Sequence, residues 1–319
     1  MIEEYQSRLI LFSVLVLFLG SFTVLVGSTS VKETFSQANE PLSQGDIPHD
    51  PSVIPSQQSS APDTKLLENL GLSAVYQSVE REIARIMNLA YQSMNLTNSF
   101  GTLPLSNLTT DMQQQFRGIP GDHDTDRRNE AKRLLASNPY LWFIGMTLPN
   151  GDTYFSEPFF SSQADSSKSN YGYRDHINGA IDSKSPYLSN VIISASTGQP
   201  LVVLASPVFS GKETNKTLIG VLALGLDLKQ FDELLKSESD GKNETRLLIL
   251  DGNGTKISDS QSNATGLESF KHLQSFENAN NGELGSIIEG IDGKNMTIAY
   301  APLKFAQSKW ILLSISGKN

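Results

Sequence analysis

The sequence predicts an α+β protein: two antiparallel-sheet modules carried on a long N-terminal helix and preceded by one transmembrane helix. Three observations lead there. Short apolar runs, broken by turns rich in Gly, Asn, Ser and Thr, recur in two successive blocks, which is the pattern of antiparallel strands. A stretch of about thirty residues with helical apolar spacing stands before them. An unbroken apolar segment stands earlier still, near the amino end.

That segment is Leu9–Val26, LILFSVLVLFLGSFTVLV. As a helix it would be roughly 27 Å long, close to the hydrocarbon thickness of a bilayer. Arg8 favours a short cytoplasmic tail over 1–8. A signal peptide cleaved after Val26-Gly27-Ser28 is the competing reading. Either way the remainder lies outside the cytoplasm, and the uncleaved form is single-pass. Residues 27–62 are rich in Ser, Gln, Pro and Asp with no apolar period, so they read as a disordered linker.

Over 63–137 the chain reads as a spine helix, a loop and a second helix. Leu66, Leu70, Ala74, Val79, Ile83, Ile86, Ala90 and Met94 recur at helical spacing. Asp63 after Pro62 suits an N-cap, and Gly71 marks a bend. A helix of roughly 45 Å is longer than one small module needs, so it suits a spine shared by two. A coiled-coil homodimer is the other reading of this helix, although its spacing is not a clean heptad. The turn-rich stretch Asn95–Gly121 reads as a loop. Asp122-His123-Asp124 reads as the acidic start of a helix over Asp126–Ser137 rather than as a metal site, and Asn138-Pro139 stops that helix.

The first module, 138–237, opens with a strand over Tyr140–Leu148. A hairpin turn follows at Pro149-Asn150-Gly151-Asp152, then a return strand from Thr153. After a Ser-rich loop come a short amphipathic helix over Tyr173–Ile181 and three apolar runs, Val191–Ile193, Leu201–Ala205 and Leu218–Leu226. A helix over Lys229–Lys236 leads out. The second module, 238–319, repeats the order. It has a strand at Arg246–Asp251, a turn at Asp251-Gly252-Asn253-Gly254 and a return at Thr255–Ser258. A helix at Leu267–Phe276 is followed by strands at Glu283–Glu289, Asn295–Pro302 and Trp310–Ser316.

Arg174-Asp175-His176, followed by Gly198-Gln199-Pro200 before a strand, resembles the Cache family of extracytoplasmic sensor domains. Gly282-Glu283-Leu284-Gly285, Ala299–Leu303 and Trp310–Leu313 resemble the membrane-proximal half of a double Cache domain. The resemblance covers Asp63–Ser316. It implies two PAS-like modules, with a small molecule held between the first sheet and its covering helix and loop. The ligand-binding candidates it implies are Tyr173, Arg174 and His176 from the helix, Tyr187 after it, Ser194 at a strand end and Asp227 at the last strand. Arg174 suits a bidentate grip on a carboxylate, although an Arg-Asp pair beside Tyr equally suits a helix-anchoring ion pair. Asp227 equally suits an N-cap. Amino-acid-binding members usually carry Arg-x-Trp-Tyr, a later Tyr-x-Asp and a late Asp for the ammonium. Here His176-Ile177, Ser194 and Gly225 stand at those places, which argues against a free α-amino acid and leaves a small carboxylate or another polar metabolite.

Composition narrows the function further. The 319 residues carry a net charge of −9 without a basic stripe, so no nucleic-acid partner is expected. There is no cysteine, and the four histidines are far apart, so no thiolate or zinc site is expected. Nucleophile-elbow, zincin, Walker and dinucleotide motifs are absent from the sequence. A calcium loop at Asp251 fails, with Lys256 where Gly is needed and Ser262 where Glu is needed. We expect no enzyme activity and no cofactor. Asn-x-Thr triplets at Asn95, Asn107, Asn215, Asn243, Asn253, Asn263 and Asn295 are candidate glycosylation sites. The sequence thus reads as a membrane-anchored small-molecule sensor. With no second apolar span after Trp310–Ser316, its signal is expected to pass to a separate transmembrane partner. A structural or adhesive surface protein with a degenerate pocket is the alternative.

Overall fold

The structure is a computed structural model, and it describes residues 63–95, 108–160, 165, 169–210, 216–239, 245–261, 267–305 and 307–317. The tail, the apolar segment, the linker, and Asn107, Asn215, Asn243 and Asn263 lie outside the described residues. Among the described residues no helix is long and apolar enough to cross a membrane.

The chain starts with α1 (Thr64–Asn69), whose N-cap Asp63 accepts a hydrogen bond from the Leu66 N–H. One spine helix with a bend at Gly71 was expected. Instead Gly71 adopts φ +67°, ends α1 and re-aims the chain into α2 (Ser73–Asn95). Val75, Val79, Ile83, Ile86 and Ala90 of α2 are buried at steps of three and four, so one face of the helix is apolar. A helix α3 (Thr110–Phe116) stands where the sequence suggested only loop. Thr109 starts it, its hydroxyl accepting from the Met112 N–H. Next comes α4 (Thr125–Ser137), with Asp124 as N-cap. Asp124 thus serves the helix, as the non-metal reading of Asp122-His123-Asp124 anticipated.

The first sheet is built from β1 (Leu141–Thr147), β2 (Thr153–Glu157), β3 (Tyr187–Leu188), β6 (Val203–Ser210) and β7 (Thr217–Leu226), in the spatial order β2-β1-β7-β6-β3. Helix α5 (Asp175–Ser183) crosses one face. The run at Val191–Ile193 does not join this sheet as expected. Its core, β4 (Ile192–Ile193), pairs with β5 (Pro200–Leu201) in a separate hairpin, and Tyr187–Leu188 takes the sheet edge beside β6.

After α6 (Leu228–Ser239) comes the second sheet: β8 (Arg246–Leu250), β9 (Lys256–Asp259), β10 (Gly285–Ile291), β11 (Lys294–Phe305) and β12 (Ser308–Gly317). Its order, β10-β11-β12-β8-β9, is that of the first sheet when each set is numbered along the chain. Helix α7 (Gln274–Asn280) covers it. This helix was expected at Leu267–Phe276. Backbone bonds Lys256 N–H to Glu268 O and Phe270 N–H to Gly254 O hold the start of that stretch against the hairpin. The Glu289 carboxylate caps the helix one turn later, at Gln274 and Ser275.

One core runs through both sheets. Alternate residues of both sheets, including Ile144, Met146, Leu222 and Leu224 of the first and Ile249, Ala301 and Leu312 of the second, bury in this core with residues of α2, α4 and α6, as the two-residue period of strands requires. The opposite faces are covered separately, the first by α5 and the β4–β5 hairpin, the second by α7 and the segment before it.

Candidate functional site

A cavity with about 90 Å³ of water-accessible space lies between the first sheet and its cover of α5 and the β4–β5 hairpin. That is room for several waters or one small molecule. Its floor includes Gly145 and Thr147 of β1 and Ala223 of β7, on the face away from α2. One end is aromatic: Trp142, Phe143 and Phe160 meet edge to face, with ring centroids 5.1 to 6.2 Å apart. Gly225 makes this end, because a Cβ there would stand 2.0 Å from the Phe143 ring. Phe160 is delivered by a buried network. Arg128 donates to Glu157 Oε1 and to the carbonyls of Ser156 and Pro120, each at 2.9 Å. This fixes the end of β2 just before the cis Glu157–Pro158 bond.

The other part of the wall is polar. Thr147 and Thr153 are cross-strand partners in β1 and β2, so their side chains share a face. Both hydroxyls are buried without a hydrogen-bond partner, as is His176 Nδ1. That nitrogen lies 3.5 Å from Asp175 Oδ1, too long and misdirected for a good bond. The neighbouring imidazole nevertheless holds the Asp175 carboxyl below the usual carboxylate range, against the opposing effect of burial. Tyr171 also lines the cavity, and burial pushes its phenol up. Among the described residues no Asp or Glu side chain lines the space. Nor do the described residues hold a group of three or more His, Asp or Glu placed for a metal.

The candidates from sequence divide between cavity and surroundings. Arg174, His176 and Ser194 line the cavity. Arg174 is also committed elsewhere. Its Nη2 donates to the Ile193 carbonyl at 2.9 Å and its guanidinium lies 5.0 Å from the Tyr173 ring centroid. Ser194 Oγ accepts from the Thr197 N–H and shapes the hairpin turn. Tyr173 is outside, 67% exposed. Tyr187 packs beside α5, where its ring leaves no room for a Cβ at Gly179. Asp227 borders a separate surface groove and caps α6, accepting from the Lys229 N–H at 3.1 Å. Sequence reasoning missed Thr147, Thr153 and the aromatic end. The outer position in Tyr140–Leu148 and Thr153–Phe155 was visible as alternation, but which face would carry a cavity was not.

The second module shows what the cavity replaces. On its equivalent face, Leu248 and Leu250 of β8, Tyr300 of β11 and Ile311 and Leu313 of β12 pack with Phe270, Leu273 and Phe276 into a filled core. The first module puts Gly145, Thr147, Ala205, Ala223 and Gly225 on that face. The strand order is shared, and the side-chain volume is not.

The profile of a family described as Cache domain matches residues 63–316. A comparison with curated proteins finds no match. Among solved structures, the chain is similar to Methyl-accepting Chemotaxis protein X (12% identity, 80% of this chain and 98% of that one covered, TM-score 0.57). It is also similar to the periplasmic sensory domain of the Campylobacter jejuni chemoreceptor Tlp1 (17%, 79% and 96%, 0.54). A third is the ligand-binding domain of the Pseudomonas aeruginosa amino acid chemoreceptor PctB in complex with L-Gln (14%, 78% and 89%, 0.52). The chain spans 40% of another match, an extracellular ligand binding receptor from Desulfohalobium retbaense. At these identities the likeness is one of fold.

Proposed function

This chain belongs to the Cache domain family, over residues 63–316, and from that premise we propose that it is an extracytoplasmic sensor whose first module encloses a small polar molecule. One observation carries the reading: on one sheet design, the second module fills its outer face and the first leaves a cavity with two unpartnered threonine hydroxyls and a histidine nitrogen on its wall. Burying such groups without partners costs about 1–3 kcal/mol each, a cost that a bound polar head offsets. Among the described residues the wall offers hydroxyls, an imidazole and a guanidinium edge but no carboxylate. A small carboxylate therefore fits better than an amine. PctB carries L-Gln in its structure. The family resemblance puts Gly225 where amino-acid-binding members carry an Asp for the ammonium, and here Gly225 lies against the Phe143 ring.

The reading extends to the parts that lie beyond the cavity. Leu9–Val26 holds the protein at the membrane, α2 and a homodimer relay the change, and a separate transmembrane partner receives it. The exposed Asn253 and Asn295, and Asn95 at the end of α2, are glycosylated where the host cell does so. The test is a thermal-shift screen of small carboxylates, amines and amino acids on the purified chain, followed by calorimetry. We expect carboxylates to raise the melting temperature and free α-amino acids to leave it unchanged. Tight binding of an amino acid would overturn the ligand class. No shift with any polar metabolite would favour the second reading, a structural or adhesive protein, for which the aromatic rings crowding one end of the cavity speak.

A further inference from the structure

We infer that Asp251, a residue of the second module, is the positioning residue for the lid of the first module's cavity. The β4–β5 hairpin supplies Ile192, Ser194 and Leu201 to the cavity wall. Its two legs are held differently. The outgoing leg, Pro200–Leu201, runs straight into β6, an inner strand of the main sheet. The incoming leg, Val191–Ile193, has no place in that sheet. Its Val191 N–H donates to Asp251 Oδ2 at 2.8 Å, across the boundary between modules.

Asp251 is built for this. It is 1% exposed. Its Oδ1 accepts the Asn253 and Thr255 N–H groups at 2.9 and 2.8 Å, so the β8–β9 turn fixes the carboxylate. That leaves Oδ2 for Val191. Neighbouring contacts run the same way: Ser308 Oγ, at the start of β12, donates to the Leu188 carbonyl. The turn itself sits close under the incoming leg, where a Cβ at Gly252 would be 3.7 Å from Asn190 Oδ1. The carboxylate therefore ties a segment one residue from the cavity wall to the β8–β9 turn. A guest that seats against Ile192 and Ser194 draws the hairpin onto the cavity and loads this tie. By reciprocity, the arrangement of the β8–β9 turn sets how tightly the guest is held.

The exchange arm of the test needs no ligand and stands apart from the proposed function; only the affinity arm rests on it. Asp251→Asn keeps an oxygen for Asn253 and Thr255 and turns an NH₂ toward the Val191 N–H, donor against donor. Hydrogen bonds to charged groups are strong enough that we expect hairpin peptides spanning 190–199 to exchange amide hydrogens about tenfold faster or more in the ligand-free full chain. Peptides from β11 and β12 should keep their protection. Affinity for any carboxylate that shifts the wild type should fall by a similar factor. Unchanged exchange over 190–199 overturns the inference whatever the ligand result. If the variant does not fold, native-state exchange of the unaltered chain in rising denaturant decides. Residues 191–193 should lose protection together with β8 and β12. Loss well before them overturns the tie.

Discussion

Thr147 and Gly225 show how single residues trade stability for a site. The Thr147 hydroxyl is buried with no partner, so its desolvation is uncompensated in the empty protein. Thr147→Val keeps the shape and removes the hydroxyl. We expect the ligand-free chain to gain about 1 kcal/mol, or roughly 2–4 °C in melting temperature for a chain of this size. Binding of a polar ligand should weaken more than tenfold. A lower melting temperature would show that the hydroxyl has a partner after all. Gly225→Ala pushes the other way. Its methyl would overlap the Phe143 ring and approach Trp142 Nε1 at 3.0 Å. Overpacking of this kind costs about 1–3 kcal/mol, readable by denaturant titration, and the shifted Phe143 should alter which carboxylates bind.

At the level of elements, α6 is fastened to the second sheet by a buried carboxylate. Asp232, 3% exposed, accepts from Ser258 Oγ at 2.8 Å and from the Asp259 N–H at 2.9 Å. Asp232→Ala strands both donors, and we expect a loss of about 2–3 kcal/mol, seen as a lower urea midpoint with an unchanged slope. Elements of this kind were legible in the sequence where pattern and turn chemistry agreed. Leu141–Thr147, Thr217–Leu226 and Arg246–Leu250 alternate or run apolar between clear turns, and they formed strands close to the expected bounds. Legibility failed where tertiary contacts decide. Nothing local says that Tyr187–Leu188, rather than Ile192–Ile193, edges the sheet, or that Glu289, far along the chain, starts α7. The Arg174-Asp175-His176 signal pointed to α5, and Arg174 and His176 line the cavity. Tyr173 stands exposed and Asp227 caps α6, as its N-cap reading had it; exposure and capping depend on neighbours that a motif does not name.

Across the whole molecule, α2 binds the two sheets into one body, and Tyr76 is one of its fastenings. Its hydroxyl donates to the Pro302 carbonyl of β11 at 3.3 Å. Burial, with the Glu80 charge added, pushes its pKa from 10.0 to about 12. The sign follows from linkage: the folded state holds this proton more tightly than the unfolded chain. The resulting stability is whole below pH 10 and is lost as pH rises toward 12. We expect the denaturation midpoint of the wild type to fall across that window. Tyr76→Phe should be about 1 kcal/mol less stable at neutral pH and flatter above pH 10, and parallel curves for the two proteins would contradict the assignment.

The floor of glycine and alanine beneath the cavity has a consequence for how such a fold diversifies. A change in what the cavity admits can arise by adding or trimming methyl groups at Gly145 and Ala223, positions in the middle of paired strands, while the α2-facing layer of the same strands goes untouched. Alternation along a strand thus separates the inheritance of a scaffold from the drift of its appetite, and lets one ancestor furnish many tastes without relearning how to fold.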